Sequence, residues 1–128
     1  MDEFGEKFIE IARDYSCANI QRILFGESTN DEEAKFSSQV KMFSESQLAI
    51  ISDLMRFALD EGLGNALWFF EDSKRSIFFT DSNGDTHNIS EVSDGLCGEL
   101  WTESGWIQRF SEFRNGIKPD STSSSTTS

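Results

Sequence analysis

The sequence predicts an α+β domain built from N-terminal helices, a three-stranded antiparallel β-meander and a C-terminal helical segment. Three observations carry that expectation. Apolar residues recur at three- and four-residue steps over residues 2–24 and again over residues 47–61. Two aromatic-rich runs and a polar third, separated by turn chemistry, fill residues 66–89. Trp106, Ile107, Phe110 and Phe113 restore a helical stripe near the C-terminus.

In the first stretch Phe4, Phe8, Ile11, Ala12, Tyr15, Ile23 and Leu24 form the apolar face of an amphipathic helix ended by Gly26. Acidic residues gather at its start, where the helix dipole favours them, and Glu3 stands four positions before Lys7 in the favourable order. An acidic loop or helix entry follows at residues 28–33. Phe36, Val40 and Phe43 fit either a helix or an ordered loop.

Ser44 with Gln47 matches a capping box. Over residues 47–61 Leu48, Ile50, Ile51, Leu54, Met55, Phe57, Ala58 and Leu59 leave only a narrow polar stripe of Ser52, Asp53, Arg56 and Asp60. A helix apolar over so much of its perimeter reads as the central one, packed on the sheet and stopped by Gly62 and Gly64.

Asp72-Ser73-Lys74-Arg75 reads as the turn between the first two strands, and Asn83-Gly84 as a two-residue type I′ hairpin loop. That register pairs Thr80 with His87 and Phe78 with Ile89, leaving Ile77 and Phe79 on the opposite face. Both faces are then partly apolar, and each needs a helix or a partner to cover it. Beyond the sheet, Ser90 can cap a short turn, Gly95 and Gly98 oppose a long helix, and Asn115-Gly116 with Pro119 ends the last stripe.

At 128 residues the expected organisation is one domain over residues 1–117, followed by a disordered Ser/Thr-rich tail over residues 118–128. The formal charge of −12, from 23 acidic and 11 basic residues, disfavours phosphate backbones and anionic membranes and favours a basic protein partner. The N-terminus lacks a signal-peptide pattern and no run reaches membrane-spanning length, so a cytoplasmic location is expected. Cys17 and Cys97 are in neither CxxC nor zinc-ligand spacing, and read as reduced and structural.

Catalytic patterns are sparse. One histidine, His87, leaves no imidazole pair, and a lone strand histidine opposite a cysteine is far more often packed than catalytic. Asp81-Ser82-Asn83-Gly84-Asp85 starts like a calcium loop, but its glycine falls at position four and Val92 occupies position twelve. Neither a phosphate loop nor a GxSxG elbow is present, so no catalytic residue, metal ligand or cofactor is assigned.

The residues singled out for protein binding are Asp31, Glu32, Glu33, Asp94, Glu99, Trp101 and Glu103, acids clustered near an aromatic anchor. They suggest a small module that neutralises a basic partner, as an immunity or antitoxin-type protein does. An acidic nucleic-acid mimic and a homodimeric accessory protein, which would bury a second sheet face against itself, are the alternatives.

Overall fold

The structure is a computed structural model, and it describes residues 2–26, 30–72, 76–92 and 95–118. It is mostly helical with one small antiparallel sheet, so the α+β class holds at that level. The predicted tail lies outside the described residues apart from Lys118.

The first helical stretch runs unbroken to Gly26, as the periodicity predicts, through α1 (Asp2–Phe8), a π-helical turn (Ile9–Asp14) and α2 (Tyr15–Phe25). The Tyr15 N–H donates to the Glu10 carbonyl five residues back, which marks the wider turn. A π turn advances less per residue than an α turn, so the inward face slips by about one position. Gly5 faces inward before it, Ile9, Arg13 and Asp14 within it and Cys17 after it, whereas Ile11 and Tyr15, predicted to be inside, stand 56% and 60% exposed. Lys7 pairs with Glu10 at 3.3 Å, while Glu3 accepts a hydrogen bond from Ser82 across the fold at 2.9 Å.

Residues 31–40 resolve into a helix, α3 (Asp31–Val40), because the Asn30 side chain accepts the Glu33 N–H at 2.8 Å and the first turn is acidic. The Ser44–Gln47 capping box forms with both of its hydrogen bonds and opens α4 (Glu45–Glu71).

That helix corrects the largest expectation. It passes through Gly62 and Gly64 and takes up residues 66–70, which were expected as the first strand. Leu59, Leu63, Leu67 and Phe70 repeat at helical spacing and face the core, so burial outweighs the local glycine and aromatic preferences. Gly64 is a contact glycine, since a Cβ there would lie 3.2 Å from the Cys97 Sγ.

Among the described residues two strands remain, β1 (Phe78–Thr80) and β2 (Thr86–Asn88); of the turn expected at Asp72–Arg75, Asp72 ends α4 and the other three residues lie outside the described ones. They pair Phe78 with Asn88, Phe79 with His87 and Thr80 with Thr86, one residue away from the predicted register. The reason is Asp81. Its Oδ1 accepts the N–H groups of Asn83 and Asp85 at 2.9 and 3.0 Å, its carbonyl accepts the Gly84 N–H at 3.0 Å, and of the loop residues only Gly84 takes positive φ. This is a three-residue loop rather than a type I′ pair. Alternation becomes clean: Ile77, Phe79, His87 and Ile89 turn inward while Phe78, Thr80 and Thr86 face out, so the sheet needs cover on one face only.

His87 Nε2 lies 2.9 Å from Asp81 Oδ2, and this hydrogen bond, aided by the Asp85 and Asn83 amides, holds the Asp81 carboxyl below the usual carboxylate range. A depressed folded-state value contributes stability above the unfolded value near ~3.9 and loses it as pH falls through the folded value. The hairpin is therefore expected to loosen below about pH 4. The Thr80 and Thr86 amide resonances followed from pH 6 to 2 check this, with Asp81→Asn removing the acid-side change; flat resonances in the parent protein would contradict it.

Short helices complete the chain: α5 (Ile89–Val92), α6 (Leu96–Trp101) and α7 (Trp106–Phe110). Asn88, rather than Ser90, caps the first of these, its Oδ1 accepting from the Ser90 N–H and hydroxyl at 3.1 and 2.8 Å. The last helix stops at Phe110, short of Phe113, because the Ser111 side chain is drawn into a buried network. The core joins Ile9, Leu63, Leu67, Ile89, Leu96, Leu100 and Trp106, with Phe4 edge-on to both Phe79 and Trp106 at 5.3 and 5.7 Å between ring centroids. The Trp106 indole lies so close to Gly5 that a Cβ there would overlap its ring. Gly5→Ala is expected to destabilise the protein by roughly 1–3 kcal/mol, the cost of overpacking, and calorimetry reads it directly. An unchanged melting temperature would contradict the packing of α1 on α7.

Candidate functional site

The inner face of α4 explains its outer one. Arg13 is 1% exposed and its guanidinium grips Asp60, also 1% exposed, through Nε to Oδ1 at 2.7 Å and Nη2 to Oδ2 at 3.2 Å. Nη1 donates to the Ser111 Oγ and the Phe113 carbonyl, both at 2.8 Å. Ser111 in turn donates to Asp14 Oδ1 at 2.7 Å and accepts the Phe113 N–H at 2.8 Å, while Asp14 Oδ2 accepts the Glu112 N–H at 2.9 Å. Buried charges persist only with such complete pairing. Arg56 Nη1 reaches Asp60 Oδ2 at 3.4 Å from the cluster's edge. One turn and more away, the Ser52 hydroxyl donates to the Ile117 carbonyl and anchors the C-terminal segment on α4.

Ser52, Arg56 and Asp60 belong to the stripe that the sequence presents as the polar edge of an apolar helix. In the fold these three point inward, while Asp53 of the same stripe stays exposed. The apolar residues opposite the three are left outside: Ile50 is 68% exposed, Leu54 63%, Phe57 55% and Trp68 68%. At 100° per residue these four fall within about 60° of arc on one side of the helix, along ~27 Å of its length. Single exposed apolar residues are ordinary, but an aligned row of large ones is not. Met42, 85% exposed, and Phe43 precede the helix cap at its N-terminal end. Exposed Glu61 interrupts the row and exposed Asp53 flanks it.

The residues singled out from sequence are placed differently. Asp31 and Glu32 stand exposed on α3, but Glu33 is half-buried and engages Arg22 at 3.3 Å. Glu99, Trp101 and Glu103 are exposed on and just after α6, and Asp94 lies outside the described residues. The principal contacts of α3 are with α2, and those of α6 with α4 and α7, so shared packing does not bring the two acidic groups together.

Chemistry at other titratable groups is limited. Both cysteines are free, and burial raises the Cys17 thiol to about 11, far from a thiolate at neutral pH. Arg109 pairs with Asp2 at 2.9 Å and holds that carboxyl below its ordinary value. Among the described residues no three His, Cys, Asp or Glu side chains converge as a metal site needs, and no helix is long and apolar enough to cross a membrane. No family model, curated protein or solved structure matches the chain.

Proposed function

We propose that this protein is a binding module for a basic protein, and that it docks the outer face of α4 into an apolar groove rimmed by Lys and Arg. The observation that carries this reading is the exposed row Ile50, Leu54 and Phe57, spaced i, i+4, i+7 as the anchors of a helix-in-groove contact are. Charge selects the partner. A second copy of this chain would bring a further −12 against −12, whereas a basic surface gains from Asp53, Glu61 and the overall field. An inhibitor that occludes a basic toxin or enzyme has this combination of apolar anchors and acidic steering. A nucleic-acid mimic has less support, because Asp60 is spent on Arg13, Asp14 on the Ser111 hydroxyl and the Glu112 N–H, and Glu33 engages Arg22.

The test is capture from the native host with wild-type protein and the double variant Leu54→Glu/Phe57→Glu, at physiological and high salt. One stoichiometric basic protein, lost with the variant and captured more slowly at high salt, is expected. Equal capture by both proteins would overturn the assignment of the face. A wild-type dimer abolished by the variant would instead give that face to a second copy.

A further inference from the structure

We propose that an open cleft between α4, α6 and the segment after α7 binds a small organic oxyanion, a carboxylate or phosphate carried on a flat apolar body. The cleft has a volume of about 370 Å³, within the usual size of small-molecule sites. It opens on the polar side of α4 and includes none of Ile50, Leu54, Phe57 and Trp68, sharing with the outer face only Asp53, which flanks that row.

Its lining runs against the charge of the whole chain. Three of the six arginines, Arg13, Arg56 and Arg114, meet there with only Asp53 and Asp60 as carboxylates. Asp60 is already engaged, gripped at the floor by Arg13 and touched at 3.4 Å by Arg56. Arg114 donates through Nε to the Ser111 carbonyl at 3.0 Å and makes no ion pair among the described residues. Its terminal donors therefore remain for an incoming oxyanion, with Arg56 as a second guanidinium nearby. The planar fork of Arg matches carboxylate and phosphate oxygens better than a Lys ammonium does.

The rest of the wall suits the body of such a ligand. Trp101 lines the cleft while remaining 47% exposed, which leaves ring surface for a flat group to cover. Trp101 was expected to anchor a protein partner, and its place in a concave, arginine-lined cleft favours a small ligand instead.

The probes are benzoate, phenyl phosphate, inorganic phosphate and neutral benzamide, titrated into the full chain and followed by amide and indole NMR. Trp101→Phe assigns its indole signal. Benzoate and phenyl phosphate are expected to move the Trp101 indole and Asn115 amide saturably. Arg114→Gln, at an exposed residue that touches the buried network only through the Ser111 carbonyl, is expected to weaken both at least tenfold, while Arg109→Gln leaves them unchanged. Absence of a saturable shift, equal binding by benzamide, or indifference to Arg114→Gln would overturn the site. Inorganic phosphate binding as tightly as phenyl phosphate would overturn the stacking role of Trp101.

Discussion

Arg13→Ala is expected to destabilise the protein by about 3–5 kcal/mol, enough to unfold it if its total stability lies at the lower end of the usual range. The substitution removes the one cation buried between Asp14 and Asp60 and takes away the donor that the Ser111 Oγ and the Phe113 carbonyl share. Asp60 would then keep only the Arg56 contact at 3.4 Å, and Asp14 only the neutral Ser111 hydroxyl and Glu112 N–H, with no buried cation between the two carboxylates. Arg13→Lys keeps a charge but loses the fork that reaches both Asp60 oxygens, and an intermediate loss is expected. Equilibrium urea unfolding measures both. A cost below about 1 kcal/mol for Arg13→Ala would mean that water reaches the cluster and that it does not fix the orientation of α4.

Leu54→Glu combined with Phe57→Glu is expected to weaken partner binding by about 100-fold or more, since anchors of a helix contact are each worth roughly 2 kcal/mol and combine imperfectly. The same variant should leave unfolding stability within about 1 kcal/mol of the parent, as exposed substitutions do. Had these residues been packed on the sheet, each would have cost about 2–5 kcal/mol. The two readouts separate an interface from a core: lost stability would place the residues inside, and unchanged affinity would remove them from the contact.

Much of the fold is legible where a local rule has no competitor. Gly26 ends the first helical stretch and Ser44 with Gln47 starts α4, because caps depend on a few adjacent residues. Residues 66–70 mislead for the opposite reason. Their aromatics favour strand and Gly62 and Gly64 favour a stop, but the Leu59–Leu63–Leu67–Phe70 repeat buries more surface as helix. The hairpin lies where Asn83-Gly84 places it, yet its register depends on the Asp81 side chain, whose hydrogen bonds exceed the turn dipeptide as a signal.

The exposed face of α4 is the least legible part, since two effects conceal it. The π turn shifts the helical phase, so uniform 100° spacing sends Arg13 outward and Ile11 and Tyr15 inward, the reverse of their places in the fold. The partner of Arg13 is 47 positions away, and no local pattern links them. One signal was available: Ser52, Arg56 and Asp60 form a straight line at four-residue steps between apolar flanks. A polar line that narrow fits an inward network as well as a solvent edge. Only Arg13, Asp14 and Ser111 decide between the two.

Hydroxyl-radical footprinting of the free protein and of its captured complex tests the exposed row most directly. Ile50, Leu54, Phe57 and Trp68 are expected to oxidise readily in the free protein and to be protected in the complex, while Trp106 stays unmodified in both. Slow oxidation of Leu54 and Phe57 in the free protein, or unchanged oxidation in the complex, would contradict the assignment of α4's outer face as the interface.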